Sequence, residues 1–522
     1  MKLFSSLTYQ EKKTLFIPLF LFLLITFIGI ATILLLNSGL IVYTLDDAYI
    51  HLALAENILK GHYGVNLGEC SSPSSSIIWP FILAPFSGFS FGHIVPLIIN
   101  VCSATGTLLI FWLVIKSIFR NETADNQRMN KAVILFTILL IFATNLVSTM
   151  FGGMEHSLQV FFTVLIIWGL IKLIQEKQIS RLLVAAVIIA PLVRYENLAL
   201  SFAALFFLYI YGYKRAALLS FILIAVIVGG FSVFLLNLGL DPLPLSVYEK
   251  SKVVSAGGSI PSLLENLRKN IFSPRLVLLI ICMFFLFYKT LSNKKSKGEK
   301  LFAVCIALAI LLHLVVGKPG RYITYIWAAS VLSILYLYRE WLIEIITKNS
   351  LLKTALAASI IVAFLSYKYI SGIVTVPIAS NNIYEQQYQM HRFVTEYYKN
   401  PVAVNDLGYV SYRNDYYVMD LVGLASIEAL NYWRANDKSD WIDTISKKHN
   451  VKLAMVYDDW FNRIPGSWYK VAELYLGKIK ISPSNNIVSF YLIDKRIKNE
   501  AVASLKSFKE TLPGGVKLLI WD

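Results

Sequence analysis

Acidic and basic side chains occur in small groups at the ends of apolar segments, and their types suit acid–base chemistry on an anionic substrate. A carboxylate can take a proton from a hydroxyl group. Lys and Arg can bind a phosphate, and Arg can donate two hydrogen bonds to it. Ionisable residues at membrane depth are costly, so they usually face a cavity and pair there. The groups are Asp46-Asp47, Glu155-His156, Arg194 with Glu196, Lys250 with Lys252, and Lys318 with Arg321-Tyr322.

The Asp46-Asp47 pair opens the segment 46–60, in which apolar residues recur at i, i+4 and i+8. This pattern predicts a helix with one apolar face that lies in the membrane interface, and Asp46 is a candidate cap for it. Apolar sequence on both sides of Glu155, Arg194 and Glu196 favours a functional site for these three. For Lys252 and Lys318 we favour side chains that extend to the interface.

The composition that surrounds these groups is typical of a membrane protein. Of 522 residues, 57% are hydrophobic and 15% are charged, whereas soluble domains average about 45–50% and about 25%. The net charge of +16 does not indicate nucleic-acid binding, because Lys and Arg cluster in loops between apolar runs, as positive-inside sorting predicts. Runs of about 20 apolar residues cross the hydrocarbon layer as helices, and they occur at 14–36, 94–115, 132–150 and 216–240.

Eleven spans are predicted in all. The segment Ile77–Gly92 is apolar but short and contains Pro80 and Pro85, which predicts a re-entrant or interfacial segment. The loops then assigned to the cytosol hold 20 Lys and Arg, so the N-terminus is predicted to be cytosolic and the chain after residue 372 to lie outside. The predicted spans are 14–36, 93–116, 132–151, 155–172, 182–194, 197–213, 216–237, 274–289, 300–317, 322–338 and 354–372.

The predicted fold is therefore mainly α: a polytopic membrane helical bundle, 1–372, followed by a soluble extracytoplasmic α/β domain, 373–522. In the second part, the short apolar runs Lys452–Tyr457 and Ile487–Ile493 are typical of strands. A helix is predicted around Tyr384–Lys399.

Six short motifs, in this order along the chain, resemble those of polytopic GT-C glycosyltransferases, in particular the branch that contains the actinobacterial terminal arabinofuranosyltransferases. The resemblance runs through about residues 40–375, and more faintly through Asn405–Gly408 and Asp420–Leu424. The motifs are Asp46-Asp47-Ala48-Tyr49-Ile50, Ser72-Pro73 with Trp79, Gly153-Met154-Glu155, Arg194-Tyr195-Glu196, Pro244 to Lys250, and Gly320-Arg321-Tyr322.

The resemblance implies a multi-pass protein of a bacterial cytoplasmic membrane. It implies inverting transfer of a sugar from a polyprenyl-phosphate donor to an acceptor outside the cytosol, which is a cell-envelope glycan, a lipid or a protein. An acidic residue of the first outer loop serves as base, so Asp46 or Asp47 would deprotonate the acceptor hydroxyl. His156, Tyr195 and Leu245 depart from the residues common in the family, so we do not predict which sugar is transferred.

The same resemblance assigns substrate-binding roles. Arg194, Lys250 and Arg321 are candidates to hold the donor phosphate, and Glu155 and Glu196 to bind sugar hydroxyls or orient the cations. Some members of the family use a divalent cation and others do not, and Asp46, Asp47 and His51 could form part of such a site. The remaining candidate substrate-binding residues are Tyr49, His51, His156 and Tyr322.

Two other classes of function remain open at this point. A transporter or lipid-carrier flippase would also place charged residues in a membrane bundle, although transporters often have internal repeats and midplane charges, and here the charges lie at span ends. A non-catalytic assembly or sensor protein would need no carboxylate pair. The transferase is the favoured hypothesis.

Overall fold

The computed structural model describes residues 7–119, 126–250, 259–435, 441–461 and 464–521. Within them the chain forms a bundle of apolar helices followed by a smaller mixed α/β domain, which confirms the predicted fold class. The principal helices of the bundle are Tyr9–Leu36, Asp47–Leu59, Trp79–Ser87, Val95–Phe119, Asn126–Ala143, Leu146–Met150, His156–Glu176, Arg181–Val193, Leu198–Ile210, Lys214–Asn237, Leu245–Lys250, Ile260–Ile271, Pro274–Thr290, Lys297–Val316, Thr324–Leu337, Arg339–Lys348, Leu351–Leu365 and Tyr367–Glu385.

Each of the predicted spans falls on a helix, but the number eleven is not confirmed. In the described part of the chain, five helices are long and apolar enough to cross a membrane, and two bent pairs raise the number to seven. Other apolar helices are shorter, such as Arg181–Val193 and Arg321–Leu337. At about 1.5 Å per residue, helices of this length fall short of a ~30 Å hydrocarbon layer.

The segment Ile77–Gly92 does not form a full span, as its length and prolines predicted. It contains the helix Trp79–Ser87, which has Pro80 in its first turn and Pro85 inside. Nine residues rise about 13 Å as a helix. Ser87 Oγ lies 3.4 Å from the carbonyl oxygen of Ala55, so this helix lies against the preceding one.

The helix Asp47–Leu59, here called the first-loop helix, corrects two expectations. It does not lie in the interface with one apolar face, because residues on all its sides are buried, from Ala48 to Ala55 without a break. Asp46 occupies the cap position but makes no capping hydrogen bond to the helix. Its carboxylate is used in a contact with the C-terminal domain instead.

The C-terminal domain contains one six-stranded mixed sheet, with strand order β2-β1-β3-β5-β4-β6. β1 pairs in parallel with β2 and β3, and the remaining pairings are antiparallel. Two of the strands match the predicted runs. The strands are Val402–Val404 (β1), Val418–Asp420 (β2), Leu453–Val456 (β3), Tyr469–Tyr475 (β4), Ile487–Leu492 (β5) and Lys517–Ile520 (β6). The main helices of the domain are Gln387–Arg392, Gly408–Ser411, Ile427–Arg434, Trp441–Lys448 and Lys498–Lys509.

The bundle and the C-terminal domain are joined by helix rather than by a linker. The helix Tyr367–Glu385 runs across the predicted boundary at residue 372, and helical structure continues to Tyr398, which accounts for the predicted helix at 384–399. Asn37, at the end of the first span, donates a hydrogen bond to Ser380 Oγ at 2.9 Å. One buried apolar cluster contains residues of both parts, so the domain sits firmly on the end of the bundle that carries the first-loop helix.

Candidate active site

The polar site forms where four separate chain segments meet at one end of the bundle. Asp47 and His51 stand on the first-loop helix, one turn apart and on the same face. Glu155 precedes the helix His156–Glu176. Arg194 and Glu196 follow Arg181–Val193, and Arg321 and Tyr322 form a 3₁₀ turn before Thr324–Leu337.

A close approach at Gly153 brings the Glu155 segment against the first-loop helix. Gly153 has φ of +67°, and a Cβ there would lie 2.5 Å from the Tyr43 ring and 2.7 Å from Ala48 Cβ. Both the left-handed backbone and the missing side chain are therefore required. As a result, Glu155 Oε2 lies 3.8 Å from His51 Nε2.

Arg194 is the centre of a buried ionic cluster. Its side chain and that of Glu155 are fully buried, and Arg194 Nη1 donates a hydrogen bond to Glu155 Oε1. On the other side Nε and Nη2 donate to the two carboxylate oxygens of Glu196, at 3.2 and 2.8 Å. The guanidinium is thus engaged by two carboxylates, and its chief role in this arrangement is to hold them in place. The phosphate-binding role stays a prediction.

Asp47 and Arg321 form the second ion pair, and this pair is reached by solvent. Arg321 Nη2 donates to Asp47 Oδ2, and the two side chains are 30% and 35% exposed. Tyr322 lies between the two pairs. Its ring centroid is 5.5 Å from the Arg194 guanidinium carbon and 5.4 Å from that of Arg321, within the range of cation–π attraction.

Asp46 and Asp47 therefore have different environments. Asp46 is 7% exposed, and its two oxygens accept hydrogen bonds from the backbone N–H groups of Gly408 and Tyr409. Burial, with the nearby Asp406 as the next cause, raises the pKa of Asp46. Only Asp47 of the two is open to an incoming hydroxyl group.

The remaining predicted site residues divide into three groups. His156 lies beside the site, with its ring centroid 6.1 Å from that of Tyr322. Tyr49 is 1% exposed, its hydroxyl accepts the Tyr43 N–H, and its ring lies 3.8 Å from the Tyr409 ring. Tyr49 thus packs between the first-loop helix and the C-terminal domain, and its substrate-binding role stays a prediction. The Lys250 side chain and all of Lys252 lie outside the described residues.

The predicted metal site is not formed by these residues. In the described part of the chain, no three His, Cys, Asp or Glu side chains come together as ligands of one ion. The two carboxyl oxygens of Asp46 already accept hydrogen bonds from amide N–H groups, and the divalent cation that the family resemblance allows stays a prediction.

A cavity of about 380 Å³ adjoins the ionic cluster. Its wall is mostly apolar, and its polar wall residues include Glu196 and Tyr322 of the site itself. Lys318 also lines it, although the sequence analysis placed this side chain at the interface. The signal that could have found it is its position three residues before Arg321. Apolar wall residues include Leu198, Ala199, Phe202, Val228, Leu312 and Val316.

The segment that follows Pro244 contacts the Ser72 motif at the cavity wall. Leu245 N–H donates to the carbonyl oxygen of Ser72 at 2.9 Å, and Ser75 Oγ donates to Ser246 Oγ at 3.0 Å. Ser75 and Ser246 line the cavity. The two sequence motifs, about 170 residues apart, therefore belong to one structure.

Comparison with protein families gives one match, to a domain of unknown function, DUF8728, over residues 381–491. These residues hold β1 to β4, all of β5 except its last residue, and the end of the helix Tyr367–Glu385. A search of curated proteins gives no match.

Several solved structures resemble this chain. The apo oligosaccharyltransferase of Archaeoglobus fulgidus has 11% identity and a TM-score of 0.43, over 87% of this chain and 73% of that chain. Its complex with zinc and sulfate has 12% identity and a TM-score of 0.43, over 83% and 67%. A mutant of the mycobacterial arabinofuranosyltransferase AftD has 11% identity and a TM-score of 0.41, over 90% and 41%.

Proposed function

We propose that this protein is a membrane glycosyltransferase that moves a sugar from a polyprenyl-phosphate donor to an acceptor hydroxyl. The observation that carries the proposal is that Glu196 and Tyr322 belong both to the ionic cluster and to the wall of the apolar cavity. One continuous site therefore offers an apolar surface and a charged surface. A substrate with a hydrocarbon tail and a polar head matches both.

The proposed donor lies with its tail against Phe202, Leu312 and neighbouring apolar residues, and its phosphate towards Lys318. Cations suit the phosphate because they stabilise the charge that it gains as it leaves. Glu196, 22% exposed, can accept hydrogen bonds from sugar hydroxyls.

In the proposed reaction the acceptor oxygen attacks the anomeric carbon while Asp47 takes the hydroxyl proton. The bond between the anomeric carbon and the phosphate oxygen breaks, and polyprenyl phosphate leaves with the bonding electron pair. One displacement inverts the anomeric carbon. Arg321 keeps the Asp47 carboxylate in place through its hydrogen bond.

The direct test uses purified protein in detergent with a panel of radiolabelled polyprenyl-phosphate sugars and envelope extracts as acceptors. Transfer of label to acceptor, with release of polyprenyl phosphate, supports the proposal. Well-folded protein that transfers no sugar from any donor, yet moves a labelled lipid-linked sugar across vesicles, would identify a flippase instead.

Filling the cavity is expected to discriminate donors by chain length. Ala199→Phe adds a ring to the apolar wall, and lost burial of hydrocarbon costs about 0.8 kcal/mol per CH₂. We expect KM for a long-chain polyprenyl donor to rise at least ~10-fold, equivalent to ~1.4 kcal/mol, with little change for a one-isoprene donor. Initial rates over donor concentration give the values.

Ala357→Phe is the matched control, because Ala357 is exposed on the helix Leu351–Leu365. It should leave KM for both donors unchanged. An equal rise for short and long donors in Ala199→Phe would show that this cavity does not hold the hydrocarbon tail.

A further inference from the structure

The start of the short helix Gly408–Ser411 of the C-terminal domain is hydrogen-bonded to Asp46, the residue next to the proposed base Asp47. Gly408 N–H donates to Asp46 Oδ2 at 2.7 Å, and Tyr409 N–H donates to Asp46 Oδ1 at 2.7 Å. These groups are 362 and 363 positions apart in the chain. Each carboxyl oxygen of Asp46 accepts one of these hydrogen bonds, so the contact fixes Asp46 in two directions.

Gly408 is held too close to Asp46 for any other residue. A Cβ on Gly408 would lie 2.1 Å from the Asp46 carbonyl oxygen and 2.5 Å from its Oδ2. Both contacts are far inside van der Waals distance, and the first is with backbone. The loop Asn405–Tyr409 and the start of the first-loop helix therefore form one packed unit.

The loop is itself fixed within the C-terminal domain. Asn405 Oδ1 accepts the Tyr457 N–H at 2.8 Å. Asp406 Oδ2 accepts from Gln387 Nε2 at 2.7 Å and lies 3.2 Å from the Tyr457 hydroxyl oxygen. Through these bonds the position of Asp46 depends on the sheet and on the helix Gln387–Arg392.

Docking of the domain does not depend on Asp46 alone. Asn66 makes two hydrogen bonds with Val418 of β2, at 2.9 and 3.1 Å. The Tyr49 and Tyr409 rings are in contact, and Ser482 Oγ donates to the Thr44 carbonyl oxygen. Contacts other than the two hydrogen bonds to Asp46 therefore also hold the domain in place.

We infer that the loop Asn405–Tyr409 positions the Asp47 carboxylate through Asp46, so that the C-terminal domain takes part in turnover and is more than a lid. The inference rests on the proposed role of Asp47. Asp46 and Asp47 are joined by one peptide bond, so a shift of Asp46 turns Asp47 and its partner Arg321. A misplacement of about 1 Å at a reacting group can lower a rate about 100-fold.

Gly408→Ala tests the inference in the full-length protein, with Gly514→Ala as the matched control. Gly514 is exposed and a Cβ there meets nothing within 4 Å. We expect Gly408→Ala to lower kcat about 10–100-fold, with donor KM within about twofold of the wild type, and to lower the melting temperature, because the added Cβ meets the Asp46 carbonyl oxygen. Gly514→Ala should match the wild type in all three.

A second measurement is the dependence of kcat on pH, which a merely structural contact would not alter. The titratable groups that face Asp46 are Asp47 beside it, Tyr49 of the first-loop helix, Asp406 of the loop, and Tyr457 beyond Asp406. Burial raises the pKa of both Asp46 and Asp406, so the pair keeps a proton to higher pH than ordinary carboxyls. Above that pH the two charges repel, and kcat should fall.

Asp406→Asn removes one of the two charges, so the fall in kcat at high pH should disappear. Wild-type kcat in Gly408→Ala, together with an inactive Asp47→Asn, would overturn the inference and leave the proposed base standing. Full activity of Asp47→Asn would overturn the proposed base itself. If Gly408→Ala does not fold, the Asp406→Asn profile decides, and an unchanged alkaline limb counts against the inference.

Discussion

Replacing Asp47 by Asn is expected to lower kcat for sugar transfer by about 10²–10⁴-fold, the range of general acid–base catalysis. The amide that replaces the carboxylate cannot take the acceptor proton, while its size and its position beside Arg321 are kept. The charge that loses its partner is that of Arg321, whose side chain is 30% exposed, so the change leaves no fully buried charge unpaired. The melting temperature should therefore stay close to that of the wild type.

The measurement is the initial rate of label transfer at saturating donor, with thermal unfolding of the same samples. Asp415→Asn is the matched control, since Asp415 is an exposed aspartate of the C-terminal domain and should transfer sugar at the wild-type rate. Asp47→Glu keeps a carboxylate one methylene further out and should retain part of the activity. A fully active Asp47→Asn would mean that another group is the base.

The second large effect is expected at Arg194, and it is an effect on stability. Arg194→Met leaves the fully buried Glu155 without its cation and releases Glu196. Removal of one partner from a buried ion pair costs about 3–5 kcal/mol of unfolding free energy. We expect a large fall in the melting temperature of the detergent-solubilised protein, measured by a thiol-reactive dye on its cysteines.

Lys269→Met is the control for this prediction. Lys269 pairs with Glu265 one turn away, and both side chains are more than half exposed, so the pair contributes only about 0.2–1 kcal/mol. Adding Glu155→Gln to Arg194→Met should recover part of the loss, because the buried charge is removed. If Arg194→Met instead raised donor KM at unchanged stability, Arg194 would bind the phosphate, as its sequence motif indicated.

Several features of the site could be predicted from the sequence because they depend on local free energies. A charged residue within apolar sequence is costly unless it is paired, so the positions of Glu155, Arg194 and Glu196 already indicated a shared polar site. The structure joins these three in one cluster. The same local energies predicted the helical class, the short segment at Ile77–Gly92 and two strands of the C-terminal sheet.

Predictions from local sequence patterns were wrong where a distant part of the chain covers the residues in question. The i, i+4, i+8 spacing of apolar residues in the first-loop helix predicted a helix with one apolar face that lies in the membrane interface. The C-terminal domain and the helix Trp79–Ser87 cover the other sides, so Tyr49 and Asp46 are buried. Nothing in the sequence around Lys318 revealed that it lines a cavity whose other wall residues come from distant helices.

By itself the sequence determined that this is a helical membrane protein with a polar site at span ends, because hydropathy and charge cost act residue by residue. Only the tertiary structure decided that Asp47 is open to solvent while Asp46 is held by the C-terminal domain. It also decided that Arg194 pairs with Glu155 and Glu196. These outcomes depend on contacts across 39, 274 and 362 positions of the chain. Such contacts are set by how the helices and the C-terminal sheet pack together, and no local pattern records that geometry.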